Sequence, residues 1–249
     1  MAMKWRSAAS LLILSVAIAW AAVPIAEAQD PAVDPAAVKM LERMTDYMAG
    51  LQQFRVLTEA TLVDYDIATN VVVRRPDKLK ARRVGGLIDQ VFCYDGKTLT
   101  LHKPSEGVYA SQAAPATIGG MIDYLREELG LQIPGSDVVY LNAFDIMMSG
   151  VRSATVVGRA VIAGTTCRHL AFSRPDVDFQ VWVADGDRPL PWKYVVTDKS
   201  TPELISTVIV MTEWDVTSAP PDSEFKFVPP AGAKAITFEQ MDKSLDSRP

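Results

Sequence analysis

The chain has 249 residues, 49% hydrophobic and 22% charged, with 25 basic against 30 acidic side chains and a formal net charge of −5. That length and balance suit an ordinary globular protein with one substantial core, two domains at most. The acidic excess argues against a nucleic-acid partner, because binding a polyphosphate backbone requires a basic surface.

Residues 1–28 place Lys4 and Arg6 ahead of an uncharged apolar run from Leu11 to Val23 and close on an A-x-A site, Ala26 to Ala28. This is the pattern of a Sec-type secretory signal peptide cleaved after Ala28, so the expected mature chain begins at Gln29 in the periplasm. The apolar run is short of the roughly 20 residues that a spanning helix needs. No cysteine at the site would take a lipid, and no twin-arginine pair precedes the run. Without the signal, 23 basic and 29 acidic side chains remain, and no membrane span is expected after cleavage.

Asp34 and Pro35 then supply an N-cap and a first helical residue. Val38, Leu41, Met44, Met48 and Leu51 recur at helical spacing up to Gly50, which predicts an amphipathic helix. From Phe54 the pattern turns to β-branched residues. FRVLTEATLVDYD and NVVVRRPDKLKARRVG read as a strand pair, with Pro76 interrupting the second strand or placing it at an edge. QVFCYDGKTLTLHK follows as a hairpin on Asp95-Gly96. Two helices are expected next. One carries Ile118, Met121, Ile122, Leu125 and Leu129 on its apolar face; the other starts from Ser136 and carries Val138, Leu141, Phe144, Met147 and Met148. Strands resume near Ala154 and run to about Val216. The expected fold class is α+β: a large curved antiparallel sheet, an incomplete β-barrel of about 9–11 strands, covered by the N-terminal helix and the two central helices. One domain is expected over residues 29–240, with a flexible tail at 241–249.

The search for chemistry finds no reaction centre. Only His102 and His169 are present, without metal-ligand spacing, and each reads as a partly exposed strand residue. No G-x-S-x-G elbow, Walker loop or G-x-G-x-x-G occurs, and no S-x-x-K associated with an acylating serine, so no enzyme activity, cofactor or metal is expected. Asp185-Gly186-Asp187 lacks the rest of a calcium loop and reads as a hairpin turn. Asp64 and Asp66 share one strand face but have no catalytic partner in view. Export makes a disulfide between Cys93 and Cys167 chemically available, worth roughly 4 kcal/mol for a loop of about 75 residues; the alternative is two separately buried thiols.

Three features bear on binding. The basic run Arg74, Arg75, Lys78, Lys80, Arg82 and Arg83 is a candidate anionic-contact surface, or else a solvated strand pair whose charges guard an edge. Met40, Met44, Met48, Met121, Met147 and Met148 all fall in the expected helices, as core or as an adaptable apolar surface. In DFQVWVADGDRPLPWKYVV, alternation puts Phe179, Val181 and Val183 on one face and Trp192, Tyr194 and Val196 on the apolar side of the return strand, with Trp182 turned outward. These six, with Met121, Leu125, Phe144 and Met148, are the candidate cavity-lining residues.

The order of signal peptide, helix, NVVVRRPDKLKAR, FCYDGKTLTLH, helical insert, GTTCRHLAFSRPDVDFQVWVADGDRPLPWKYVVT and a closing FKFVPPAGAKAI resembles the predicted periplasmic proteins of the domain of unknown function 2092 family. It is more distantly similar to the periplasmic lipoprotein carriers LolA and LolB and their relatives. That resemblance implies an incomplete barrel curved around an apolar cavity under a helical lid, and no individual residue is carried over from it. The expected function is periplasmic binding of a lipid, an acylated protein or another apolar ligand. The alternative is an envelope sensor or interaction module that binds a protein partner, with the basic strand as its contact.

Overall fold

The computed structural model describes residues 32–62, 65–131, 133–200 and 202–241. The signal peptide, its cleavage site, Asp64 and nearly all of the expected tail lie outside the described residues. Met241, expected to open the tail, is buried against the main core.

Twelve strands among the described residues form one sheet. β1 (Gln53–Thr61), β2 (Asp66–Arg74), β3 (Lys78–Gly85), β4 (Ile88–Tyr94), β5 (Thr98–Lys103) and β6 (Val108–Ala113) make a first meander. β7 (Ser153–Ile162), β8 (Thr165–Ser173), β9 (Val177–Ala184), β10 (Pro191–Asp198) and β11 (Ser206–Asp215) make a second, and β12 is the pair Lys234–Ala235. The spatial order is β12-β6-β5-β4-β3-β2-β1-β11-β10-β9-β8-β7, so the β1–β11 pairing joins the two meanders. All neighbours are antiparallel except β12, which runs parallel to β6, and the sheet stays open between β12 and β7. This is the expected α+β arrangement, with the two-residue β12 as an addition. The Asp95-Gly96 turn forms as its chemistry dictates: Asp95 Oδ1 accepts from the backbone N–H groups of Lys97 (3.0 Å) and Thr98 (2.9 Å), and Gly96 takes φ +93°.

The helices cover one face of the sheet. α1 (Pro35–Gly50) is capped by Asp34, whose Oδ1 accepts from the Ala36 N–H at 2.8 Å, and it buries Ala37, Leu41, Met44, Thr45 and Met48. Its last turn contains no basic residue; Arg75 reaches over from the β2–β3 turn and donates to the carbonyls of Leu51 (3.1 Å) and Met48 (3.3 Å). α2 (Ile118–Glu127) buries Ile118, Met121, Ile122 and Leu125 as its periodicity predicts. The second central helix differs from expectation. It is split into a 3-10 turn over Ser136–Val139 and the short α3 (Ala143–Met148), with Tyr140 extended between them and Leu141 exposed. The break is held by the Tyr140 hydroxyl, which donates to Asp123 Oδ1 of α2 at 2.6 Å and so takes the chain off the helical path.

These covers divide the concave face. α1 packs on β7, β8, β9 and α3 and closes that half with side chains. Arg174 fastens α3 by donating to the carbonyls of Ile146 (2.8 Å) and Met147 (2.5 Å) while its guanidinium lies over the Phe179 ring. The other half, β1 to β4, lies beneath α2 and the 3-10 turn.

A C-terminal strap crosses the convex face. Glu224 accepts two hydrogen bonds from Arg55 of β1, Asp222 pairs with Arg74 of β2, and Phe227 packs on His102 of β5 and Tyr109 of β6 before β12 joins β6. His102 is therefore buried, against the expectation of partial exposure, and burial lowers its pKa. Cys93 and Cys167 are each free and buried. They stand on β4 and β8, with six strands between them. Both point to the convex side, since Phe92 and Tyr94 flank Cys93 on the concave side and Cys167 packs with Trp182 and Val195 in a separate cluster. The possible disulfide therefore does not form, because a bridge requires Cα atoms within about 7 Å, and the alternative of two separately buried thiols holds.

Candidate ligand-binding cavity

Alternation along β1 to β4 stacks the concave side chains in rows. Phe54, Val73, Leu79 and Tyr94 oppose one another in one row, and Val56, Val71, Ala81 and Phe92 in the next. The third row changes character: Thr58 faces Thr69, Thr69 faces Arg83, and Arg83 faces Gln90. Above these rows is a cavity of about 340 Å³, in the range of roughly 300–1,000 Å³ typical of small-molecule sites.

The cavity is apolar and roofed. Met121, Ile122 and Leu125 of α2 lie above it with Val138 and Val139, and Ile209, Met211 and Trp214 of β11 form a side wall. Gly135 seals one corner: its φ of +80° favours glycine, and a Cβ there would meet Ile209 Cδ1 at 2.8 Å and push that side chain aside. The end near Phe54, Leu79 and Phe92 is buried, whereas Tyr65 is 41% exposed at the other end, beside half-buried Thr58, Thr69 and Arg83.

A polar clamp holds the roof to the sheet. Arg126 of α2 donates to Ser136 Oγ (2.6 Å) and Asp137 Oδ1 (2.9 Å), and Tyr194 of β10 donates to Asp137 Oδ2 at 3.3 Å. Burial and the adjacent carboxylates push the Tyr194 and Tyr140 hydroxyls far above the ordinary phenol range, so both remain protonated donors.

Among the described lining residues Arg83 carries the single formal charge. Its Nη1 donates to the neutral Gln90 Oε1 at 3.2 Å, and burial lowers its pKa. The rest of the basic run does not form one surface. Strand alternation sends Lys80 and Arg82 to the convex side and Arg83 to the concave side. Arg74 and Arg82 pair with Asp222 and Asp89, Arg75 caps α1, and Lys78 donates to the Asp95 carbonyl at 3.1 Å. The edge reading fails as well, since β2 and β3 are interior strands and Pro76 lies in the turn between them.

Of the ten candidate lining residues, Met121 and Leu125 face the cavity. Phe179, Val181, Val183 and Tyr194 lie in the solid core, Phe179 stacking on Phe172 at 4.7 Å between ring centroids. Trp192, Val196, Phe144 and Met148 are half-buried against the same core. The physical reason is the α1–α3 layer, which fills that half of the concave face. Trp182 does turn to the convex side, but it is buried there, stacked on His169 at 3.9 Å with Lys193 over its ring at 4.7 Å. Sequence reading missed Phe54, Val56, Phe92, Trp214 and the inward turn of Arg83. The alternation L-K-A-R-R over residues 79–83 carried the last signal, separating Leu79, Ala81 and Arg83 from Lys80 and Arg82.

Among the described residues no group of three His, Cys, Asp or Glu is placed to hold a metal ion. Asp185 in the β9–β10 turn pairs with Arg168 and Arg159, and Gly186 accepts from Arg43 at 2.5 Å, as in an ordinary tied hairpin.

Residues 37–239 match a family model described as predicted periplasmic protein, DUF2092. No curated protein matches the chain. Among solved structures, an uncharacterized conserved protein from Thermus thermophilus is similar at 9% identity and TM-score 0.51, over 81% of this chain and 99% of that one. The lipoprotein LppX of Mycobacterium tuberculosis is similar at 16% identity and TM-score 0.49, over 75% and 98%. The MucA/MucB complex of Pseudomonas aeruginosa gives 15% identity and TM-score 0.46, over 81% and 64%. The Thermus protein shares the fold.

Proposed function

Because the chain belongs to the DUF2092 family of predicted periplasmic proteins, we propose that it is a non-catalytic envelope protein that binds the chain of a lipid, an acylated protein or a similar apolar ligand between β1–β4 and α2. The observation that carries this reading is the roofed apolar cavity in a sheet whose other half is filled. Export by a signal peptide cleaved after Ala28, and a single domain over residues 29–240, belong to the same proposal. Each buried methylene contributes about 0.8 kcal/mol, so a chain of about ten carbons offsets several kcal/mol of association cost. A protein partner docked on the basic strand has less support, since four of its six cations are engaged by acids or carbonyls of the chain itself.

The test is titration of delipidated, refolded protein with a fluorescent fatty acid. Saturable binding at one site is expected. Ala81→Trp, which projects a ring into the cavity, abolishes it. Phe179→Ala, in the filled half, leaves it intact while lowering stability by about 3–5 kcal/mol. Absence of saturable binding to the unaltered protein overturns the proposal.

A further inference from the structure

We infer that the cavity is built for an amphiphile with an anionic head, a carboxylate or a phosphate, which Arg83 binds while the chain lies over Val56, Val71 and Phe92. This inference rests on the apolar-ligand reading above and names the class of ligand.

The first ground is position. Thr58, Thr69, Arg83 and Gln90 form a polar belt at one level across four adjacent strands, with two apolar rows on one side and, on the other, the shorter pair Ala60 and Ile67 leading to exposed Tyr65. A ligand lying along the strands would set its head at that belt and its chain on the apolar rows. A single amphiphile satisfies both surfaces, whereas a wholly apolar ligand would cover the guanidinium without compensating it.

The second ground is the state of Arg83. Elsewhere the half-buried arginines meet acids or several carbonyls, as Arg55, Arg74, Arg82 and Arg126 meet carboxylates and Arg75 and Arg174 meet helix ends. Among the described residues Arg83 has one neutral hydrogen-bond partner, so most of its five donors are available to the cavity. Desolvation works against its charge. A planar guanidinium in that condition suits two-point binding to carboxylate or phosphate oxygens, and the low-dielectric wall strengthens the contact. The threonine hydroxyls add donors that tolerate either head.

The experiment compares dodecanoate, dodecyl phosphate and dodecanol by titration calorimetry on the delipidated protein. Dodecanoate or dodecyl phosphate should bind at least about tenfold more tightly than dodecanol, and the tighter of the two identifies the head. Arg83→Gln should remove that preference, and saturable dodecanol binding by the variant shows that it is folded. Arg83→Lys should restore part of it. Equal binding of all three ligands to the unaltered protein, or a preference that survives Arg83→Gln, overturns the inference while leaving the apolar cavity standing. If dodecanol and both anions fail to bind, the apolar-ligand reading falls and this inference falls with it.

Discussion

Single residues on the convex side decide how firmly the strap is held, and Glu224 is the clearest case. It accepts from Arg55 at 2.8 Å and 2.5 Å, and that hydrogen-bonded cation holds its carboxyl below the usual range. With the folded pKa below the unfolded one, the stabilisation is complete above the unfolded value near 4.3 and is lost as pH falls through the folded value. Glu224→Gln should therefore lower stability by about 1 kcal/mol at neutral pH, a modest figure because both side chains are partly exposed. Denaturant melts should show the gap between the two proteins closing on acidification below about pH 4. A gap that persists at low pH would mean that the pair contributes through packing. At this scale much was legible: Asp34 as cap and Asp95-Gly96 as turn follow from local chemistry alone. The neighbours of Glu224 were not, since Arg55 lies 169 residues away in the chain.

At the level of elements, the roof is an α-helix and a 3-10 turn joined to the sheet by polar contacts. Tyr140 bonds to Asp123, and Arg126 bonds to Ser136 and Asp137, so the two pieces are tied to each other. Tyr140→Phe removes the bond to Asp123, which is exposed and regains water, so it should cost about 0.5–1.5 kcal/mol. Hydrogen exchange over residues 118–139 should accelerate relative to β1–β4, and the association rate of a fluorescent fatty acid should rise. Uniform acceleration across the whole chain would instead indicate a global loss of stability. The strands and α2 were readable because their hydrophobic periods are 2 and 3.6, and those periods survive into the fold. The second central helix was misread as continuous for the opposite reason: its apolar spacing is helical, yet a tertiary hydrogen bond from Tyr140 opens the chain in its middle.

For the whole molecule, the proposed export route predicts that protein purified from the envelope starts at Gln29, and intact mass together with N-terminal sequencing checks this. Retention of residues 1–28 would replace a free periplasmic protein with an anchored one. Among the described residues no helix is long and apolar enough to cross a membrane. What the amino-acid sequence determined by itself is what depends on near neighbours: the helix caps, the tight turns, the alternation of each strand and hence an open antiparallel sheet with one apolar face. Only the tertiary structure decided which half of that face is filled. α1, with α3 packed against it, settles on β7 to β9, so the aromatic Phe179 and Tyr194 become core, and the space is left over β1 to β4. Packing of this kind depends on shapes that meet across 100 residues or more, and periodicity has no term for it. The same holds for Arg83, whose place in a run of cations looked like surface until the strand pairing turned it inward, beside Thr69 and Gln90.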